Sequence, residues 1–230
     1  MIYLWALVPP ILVILLFYLL DPKRKPLKAI GIVAGWSLMA FVPSIIFVCL
    51  EKLALYAEIW HPTNNALLQQ FEDAFIGAAI PEEVGKWLAL WLFVKKYREY
   101  FRAPYDGILF GACIAAIFAG LENIYYLGIG SPIYIRLFFS LPVHTMSALI
   151  MGYFFALLYF GESTWRNKIC MFLLPILFHG SYDFLLFLMR SETFGSGGNI
   201  LIFLLVITLF IVEIAYCVKL TKSLRRRSLS

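Results

Sequence analysis

Residues 78–94 read AAIPEEVGKWLALWLFV. The run is apolar enough to cross a bilayer, yet Glu82, Glu83 and Lys86 stand inside it. An ionisable side chain at mid-membrane costs about 2.5–3.5 kcal/mol on insertion scales, so such residues in a spanning helix mark a functional site by default. Glu82 and Lys86 are spaced i,i+4 and can pair on one helix face. Glu83 points about 100° away, so both carboxylates can address one cavity without overlapping. Pro81, just before them, suits the first turn of a half-helix or a kink at a pocket.

The surrounding chain is of the same kind. It has 230 residues, 62% of them hydrophobic and 14% charged. Soluble domains run at about 45–50% apolar and 25% charged, so the composition belongs to an all-α polytopic membrane protein. A span needs roughly 20 mostly apolar residues. Seven stretches qualify: 2–20, 29–50, 74–94, 107–127, 137–160, 169–189 and 200–218. Fifteen of the nineteen basic residues fall in one set of loops and the tail, and three (Lys52, Arg136, Arg190) in the other. By the positive-inside rule the N-terminus is outside and the C-terminus cytoplasmic. The first run lacks a basic start and a small-residue cleavage site, so it reads as a retained span and not a signal peptide. Residues 1–230 form one domain without internal repeats. The net charge of +5 lies in short clusters between apolar runs, which gives no nucleic-acid surface. The four cysteines are scattered without a CxxC pair and read as small buried hydrophobes.

Several smaller features carry expectations. Pro9-Pro10 and Pro43 kink the first two spans. Residues 51–73 form an interfacial helix over the outer face, with His61 an interfacial residue. The tail SLRRRSLS anchors against anionic lipid. Glu213 sits near the inner end of the last span, where it can snorkel or pair with a lysine.

The remaining buried polar groups share a depth. At the helical rise, Glu82 and Glu83 lie about 12–14 Å below the outer boundary, Glu122 about 8 Å, His144 about 10 Å, His179 about 15 Å and Asp183 about 9 Å. Four spans therefore bring ionisable groups into one layer of the outer half-membrane, which scattered structural residues would not do. His179 and Asp183 are i,i+4 on one face. Phe118 sits one turn before Glu122 and brings a ring beside it. Imidazoles with carboxylates are the ligand set of a zinc-type hydrolytic site: three protein ligands, an open position for water, and a free carboxylate as base. Asp183 or Glu122 can fix the histidine tautomers from behind. The rival class is a proton- or ion-coupled transporter, since buried Glu, His and Asp also make relays. The single layer, and the absence of a repeat, speak against it.

Glu82-Glu83-x-x-Lys86, Phe118-x-x-x-Glu122, His144 and His179-x-x-x-Asp183, in that order on successive spans, resemble the PrsW family of intramembrane proteases. The pattern is more distantly similar to the CAAX prenyl proteases and bacteriocin-processing enzymes. Those end the first motif in Arg and carry His in the second, where this chain has Lys86 and Glu122. The resemblance implies a bacterial inner-membrane, metal-dependent endopeptidase. Its substrate would be a single-span anti-sigma factor, cut near the extracytoplasmic face to release a sigma factor under envelope stress. The expected mechanism has zinc held by His144, His179 and Glu122, with Asp183 close by. Glu83 is the general base and Lys86 holds Glu82 ionised. Asn123 donates to the oxyanion. Glu82 and Glu83 can exchange roles, and a metal-free version uses the same residues.

Overall fold

Inside hydrocarbon every backbone N–H and C=O must find its partner within the segment, so long apolar runs become helices. The computed structural model describes residues 2–59, 61–130, 138–191 and 194–229, and these contain helices and connections with no strand. They are α1 (Ile2–Leu20), α2 (Leu27–Trp36), α3 (Val42–Tyr56), α4 (Ala66–Phe71), α5 (Ile80–Lys96), α6 (Tyr105–Gly128), α7 (Ser140–Tyr159), α8 (Trp165–Arg190) and α9 (Gly195–Leu229). A 3₁₀ turn, Ser37–Phe41, joins α2 to α3, and a π-helical segment, Glu72–Ala79, joins α4 to α5.

The protein is an all-α membrane protein. Among the described residues, five helical stretches are long and apolar enough to cross a bilayer: Leu27–Tyr56, Tyr105–Gly128, Ser140–Tyr159, Trp165–Arg190 and Gly195–Leu229. The first helix supplies a shorter apolar stretch, Ala6–Leu20. The helix holding Glu82, Glu83 and Lys86 falls on the remaining stretch read from sequence. Arg136 and the start of the fifth stretch lie outside the described residues.

Two local readings change. Residues 51–73 do not form one helix: 51–56 complete α3, and α4 begins only at Ala66. Asn65 caps α4 by accepting from the Leu68 N–H at 3.1 Å, and the chain then runs through the π segment into α5 without a break. The irregularity of the second span lies in the 3₁₀ turn, and Pro43 occupies the first turn of α3. The tail is docked on the protein as the last turns of α9. The Tyr105 N–H donates to Ser228 Oγ at 2.8 Å, Arg225 Nε donates to the Leu20 carbonyl at 3.0 Å, and Arg227 pairs with Glu162. All four cysteines are free; Cys113 and Cys217 are buried, but Cys49 is exposed.

The centre of the bundle is the α6–α7 pair. Gly107 and Gly111 on α6 meet Ala148 and Gly152 on α7 at four-residue spacing. A Cβ at Gly107 would run into the Gly152 carbonyl, and one at Gly152 into the Gly107 carbonyl. Small residues are needed there because lipid supplies no hydrophobic drive for helix association, so close backbone packing must hold the pair. The same device seats the 3₁₀ turn on α5, where a Cβ at Gly85 would collide with the Ala40 carbonyl. Gly152→Leu is expected to destabilise by about 1–3 kcal/mol or more, since the obstacle is backbone. Gly31→Leu, with nothing within 4 Å of its Cβ position, serves as the neutral control. Thermal midpoints of the two variants in detergent check this, and equal midpoints would contradict the packing.

Candidate active site

Four helices converge at the end of the bundle where α6 and α8 finish and α7 begins. The helix carrying Pro81-Glu82-Glu83 reaches this end directly after the π segment. A π turn adds a residue without breaking the helix and shifts the register of the turns beyond it, a form that recurs at functional sites. Here it sets the two adjacent glutamates against α7 and α8.

The two glutamates have different surroundings. Glu83 is fully buried, and its Oε1 lies 2.6 Å from Lys86 Nζ and 2.8 Å from His179 Nδ1. Glu82 lines a cavity of about 70 Å³, room for several waters, together with Glu122, His144, His179 and Asp183. Its Oε2 is buried without a hydrogen-bond partner, 3.7 Å from His144 Nδ1 and 3.8 Å from His179 Nε2. Lys86 thus pairs with Glu83 at i,i+3 and not with Glu82 at i,i+4. Helix spacing permits both pairs; in the folded bundle Glu83 Oε1 takes both Lys86 and His179, while Glu82 turns to the cavity.

Lys86 Nζ also lies 3.0 Å from His144 Nδ1 and 4.9 Å from the centre of the Phe118 ring. An ammonium only donates, so His144 Nδ1 is assigned as acceptor. His144 Nε2–H then donates to Glu122 Oε2 at 2.9 Å. By the same logic His179 Nδ1–H donates to Glu83, which leaves Nε2 facing Asp183 Oδ2 at 3.3 Å and Glu82 Oε2. An unprotonated nitrogen between two carboxylate oxygens needs a proton or a cation there. Imidazole held by a carboxylate on one nitrogen and open on the other is the usual arrangement of a metal-ligating histidine.

One ligand atom each from Glu82, His144 and His179 lies within 4.8 Å of the others, the group among the described residues best placed to hold a metal ion. The site residues read from sequence are therefore brought together, with shifted placements. Glu122 hydrogen-bonds His144 from the cavity wall, and Asp183 stands beside His179. Asn123 is fully buried but does not line the cavity. Phe118 touches Lys86 and His144, its ring centroid 5.3 Å from that of His144, and stacks on Phe41 at 4.4 Å.

The chain is similar to known proteins. A model of the PrsW family, described as intramembrane metalloproteases, matches residues 25–213. The chain belongs to the PrsW family. The protein named Protease PrsW from Geobacillus kaustophilus (strain HTA426) is 38% identical over 127 residues, which are 54% of this chain and 55% of that one. Its namesake from Bacillus subtilis (strain 168) is 35% identical over 121 residues, 50% and 55% of the two chains. That from Clostridioides difficile (strain 630) is 29% identical over 177 residues, 71% and 69%. The chain spans about half the length of the first two relatives. No solved structure matches it. These PrsW relatives are bacterial, and the several apolar helices make the chain a multi-pass membrane protein.

The structure adds site residues that the sequence did not single out. Tyr126, Ser140, Tyr182 and Arg190 line the cavity, and Arg190 also lines a neighbouring cleft of about 510 Å³ with Glu51, Gln70 and Asp73. Tyr126, Ser140 and Arg190 sit at or near helix ends, where a polar residue carries no signal of its own, and Tyr182 lies within α8, where a lone tyrosine carries none either. Glu213 is a correction. It is fully buried, both of its oxygens lack a hydrogen-bond partner, and it lies within electrostatic reach of His179, Glu83 and Lys86. The last helix runs to Leu229, beyond the expected end at residue 218, so Glu213 falls mid-helix and cannot snorkel.

Proposed function

We propose that this PrsW-family chain is a metal-dependent intramembrane endopeptidase that cuts a single-span membrane protein near the extracytoplasmic face. The substrate class is an anti-sigma factor, and the cut begins the proteolysis that frees its sigma factor. The chain crosses the membrane seven times with its N-terminus outside, so that the cavity opens outward. One observation carries this reading: three candidate ligands and two further carboxylates from four helices wall a single small polar cavity inside an apolar bundle.

Glu82, His144 and His179 would hold a divalent cation such as zinc, His144 through Nδ1 in place of its contact with Lys86, whose ammonium would keep its pair with Glu83. The ion would supply Lewis-acid polarisation of the scissile carbonyl and a more acidic water. Glu82 is the glutamate of the pair that reaches the cavity, so it acts at the reacting atoms, as ligand or as proton acceptor. Glu83 works from behind: it orients His179 through Nδ1 and is neutralised by Lys86. Glu122 fixes the His144 tautomer. Tyr126 and Ser140 line the same cavity and would donate to an oxyanion, the part expected of Asn123 from sequence.

The test is cleavage of a single-span reporter by purified protein in liposomes. Cleavage is expected to stop on chelation and return with zinc. Undiminished cleavage by metal-free protein would remove the cation from the proposal. Ion movement without any cut peptide would replace the peptidase by a transporter.

A further inference from the structure

A groove of about 510 Å³ runs between α1, α7 and α9, on a different face of α7 from His144. Its walls are mostly apolar, with Leu16, Leu141, Leu149 and Val218 among them, and its charged groups gather at one end, at Lys222 and Arg225. Along α9 it extends from Ile214 to Arg225, about 16 Å at the helical rise. That is close to half of a hydrocarbon core of about 30 Å, the depth of one leaflet. Arg225 Nε donates to the Leu20 carbonyl at 3.0 Å, which holds the guanidinium at the mouth with further N–H donors to spare. Lys222 is exposed beside it.

We infer that this groove binds one anionic phospholipid, its phosphate on Lys222 and Arg225 and one acyl chain laid along α7. Charge selects this occupant. A spanning helix brings its own Lys/Arg flank on the cytoplasmic side and would set like charges against this mouth. A zwitterionic lipid brings an ammonium with its phosphate. An anionic headgroup alone meets the two cations without opposition, as basic pockets between membrane helices do. This site is separate from the proposed catalytic cavity, and the inference does not depend on proteolysis.

The experiment titrates the full chain in mild detergent with phosphatidylglycerol or phosphatidylcholine. Native mass spectrometry counts retained lipid, and thermal melting gives an independent reading of binding. One phosphatidylglycerol is expected per chain, bound about tenfold or more tighter than phosphatidylcholine. Lys222→Gln/Arg225→Gln should erase the difference. Val218→Trp, at a partly exposed wall position, should block both lipids with the charges intact. Equal retention of the two lipids by the parent, or undiminished phosphatidylglycerol binding by either variant, would overturn the inference. So would crosslinking at Val218 to a single-span peptide in place of lipid.

Discussion

Glu82→Gln is expected to lower cleavage by about 10²–10⁴-fold, the usual range for a group that handles the reacting proton, and to leave the thermal midpoint close to that of the parent. Oε2 of Glu82 has no hydrogen-bond partner to lose. The neighbouring exchange, Glu83→Gln, should behave differently. Oε1 of Glu83 is shared by Lys86 and His179, both buried, so removing its charge strands a lysine ammonium in the bundle. Breaking one side of a buried ion pair costs about 3–5 kcal/mol. Glu83→Gln should therefore lose activity and stability together, whereas Glu82→Gln loses activity alone. Parallel cleavage assays and melting curves read the two apart. Identical melting behaviour of the two variants would show that the adjacent carboxylates are not divided as the geometry divides them.

The second large effect belongs to Lys86. Lys86→Met leaves Glu83 charged and without its ammonium, 0% exposed among apolar helices. A loss of about 3–5 kcal/mol is expected from the uncompensated charge, a sizeable part of the 5–15 kcal/mol that holds a typical domain together. The double exchange Glu83→Gln/Lys86→Met removes both charges, and apolar or neutral replacements of a whole buried pair are often harmless. It should recover most of the thermal midpoint and none of the cleavage, because His179 still lacks its carboxylate. A double variant no more stable than Lys86→Met would mean that the pair is not the interaction that matters.

The pairing shows where reading the chain alone stops. Spacing allowed Lys86 to meet either glutamate, since i,i+3 and i,i+4 both lie on one face. The choice came from residues far along the chain: His179, 93 positions beyond Lys86, shares Glu83 Oε1 with it, and His144, 58 positions beyond, meets Lys86 Nζ through Nδ1. Glu213 is a second instance. Composition placed its helix correctly, but the helix runs on through charged turns to Leu229, because Ser228 and Arg225 find partners on other helices. Those contacts moved a residue expected at the interface into the interior.

The amino-acid sequence by itself determined that this is a helical membrane protein and that the ionisable residues of four helices share a depth. Hydrocarbon forces apolar runs into helices, and the helical rise converts position into depth. Those are local rules, and without coordinates they brought the expected site residues, Asn123 apart, to one cavity edge or its immediate backing. Rotation about each helix axis is not local. It depends on glycine contacts such as Gly107 with Gly152 and Gly85 with Ala40, and on the π segment ahead of Pro81. Only that rotation decided which glutamate faces the cavity and which backs it, because a turn of about 100° per residue separates neighbours that share a depth.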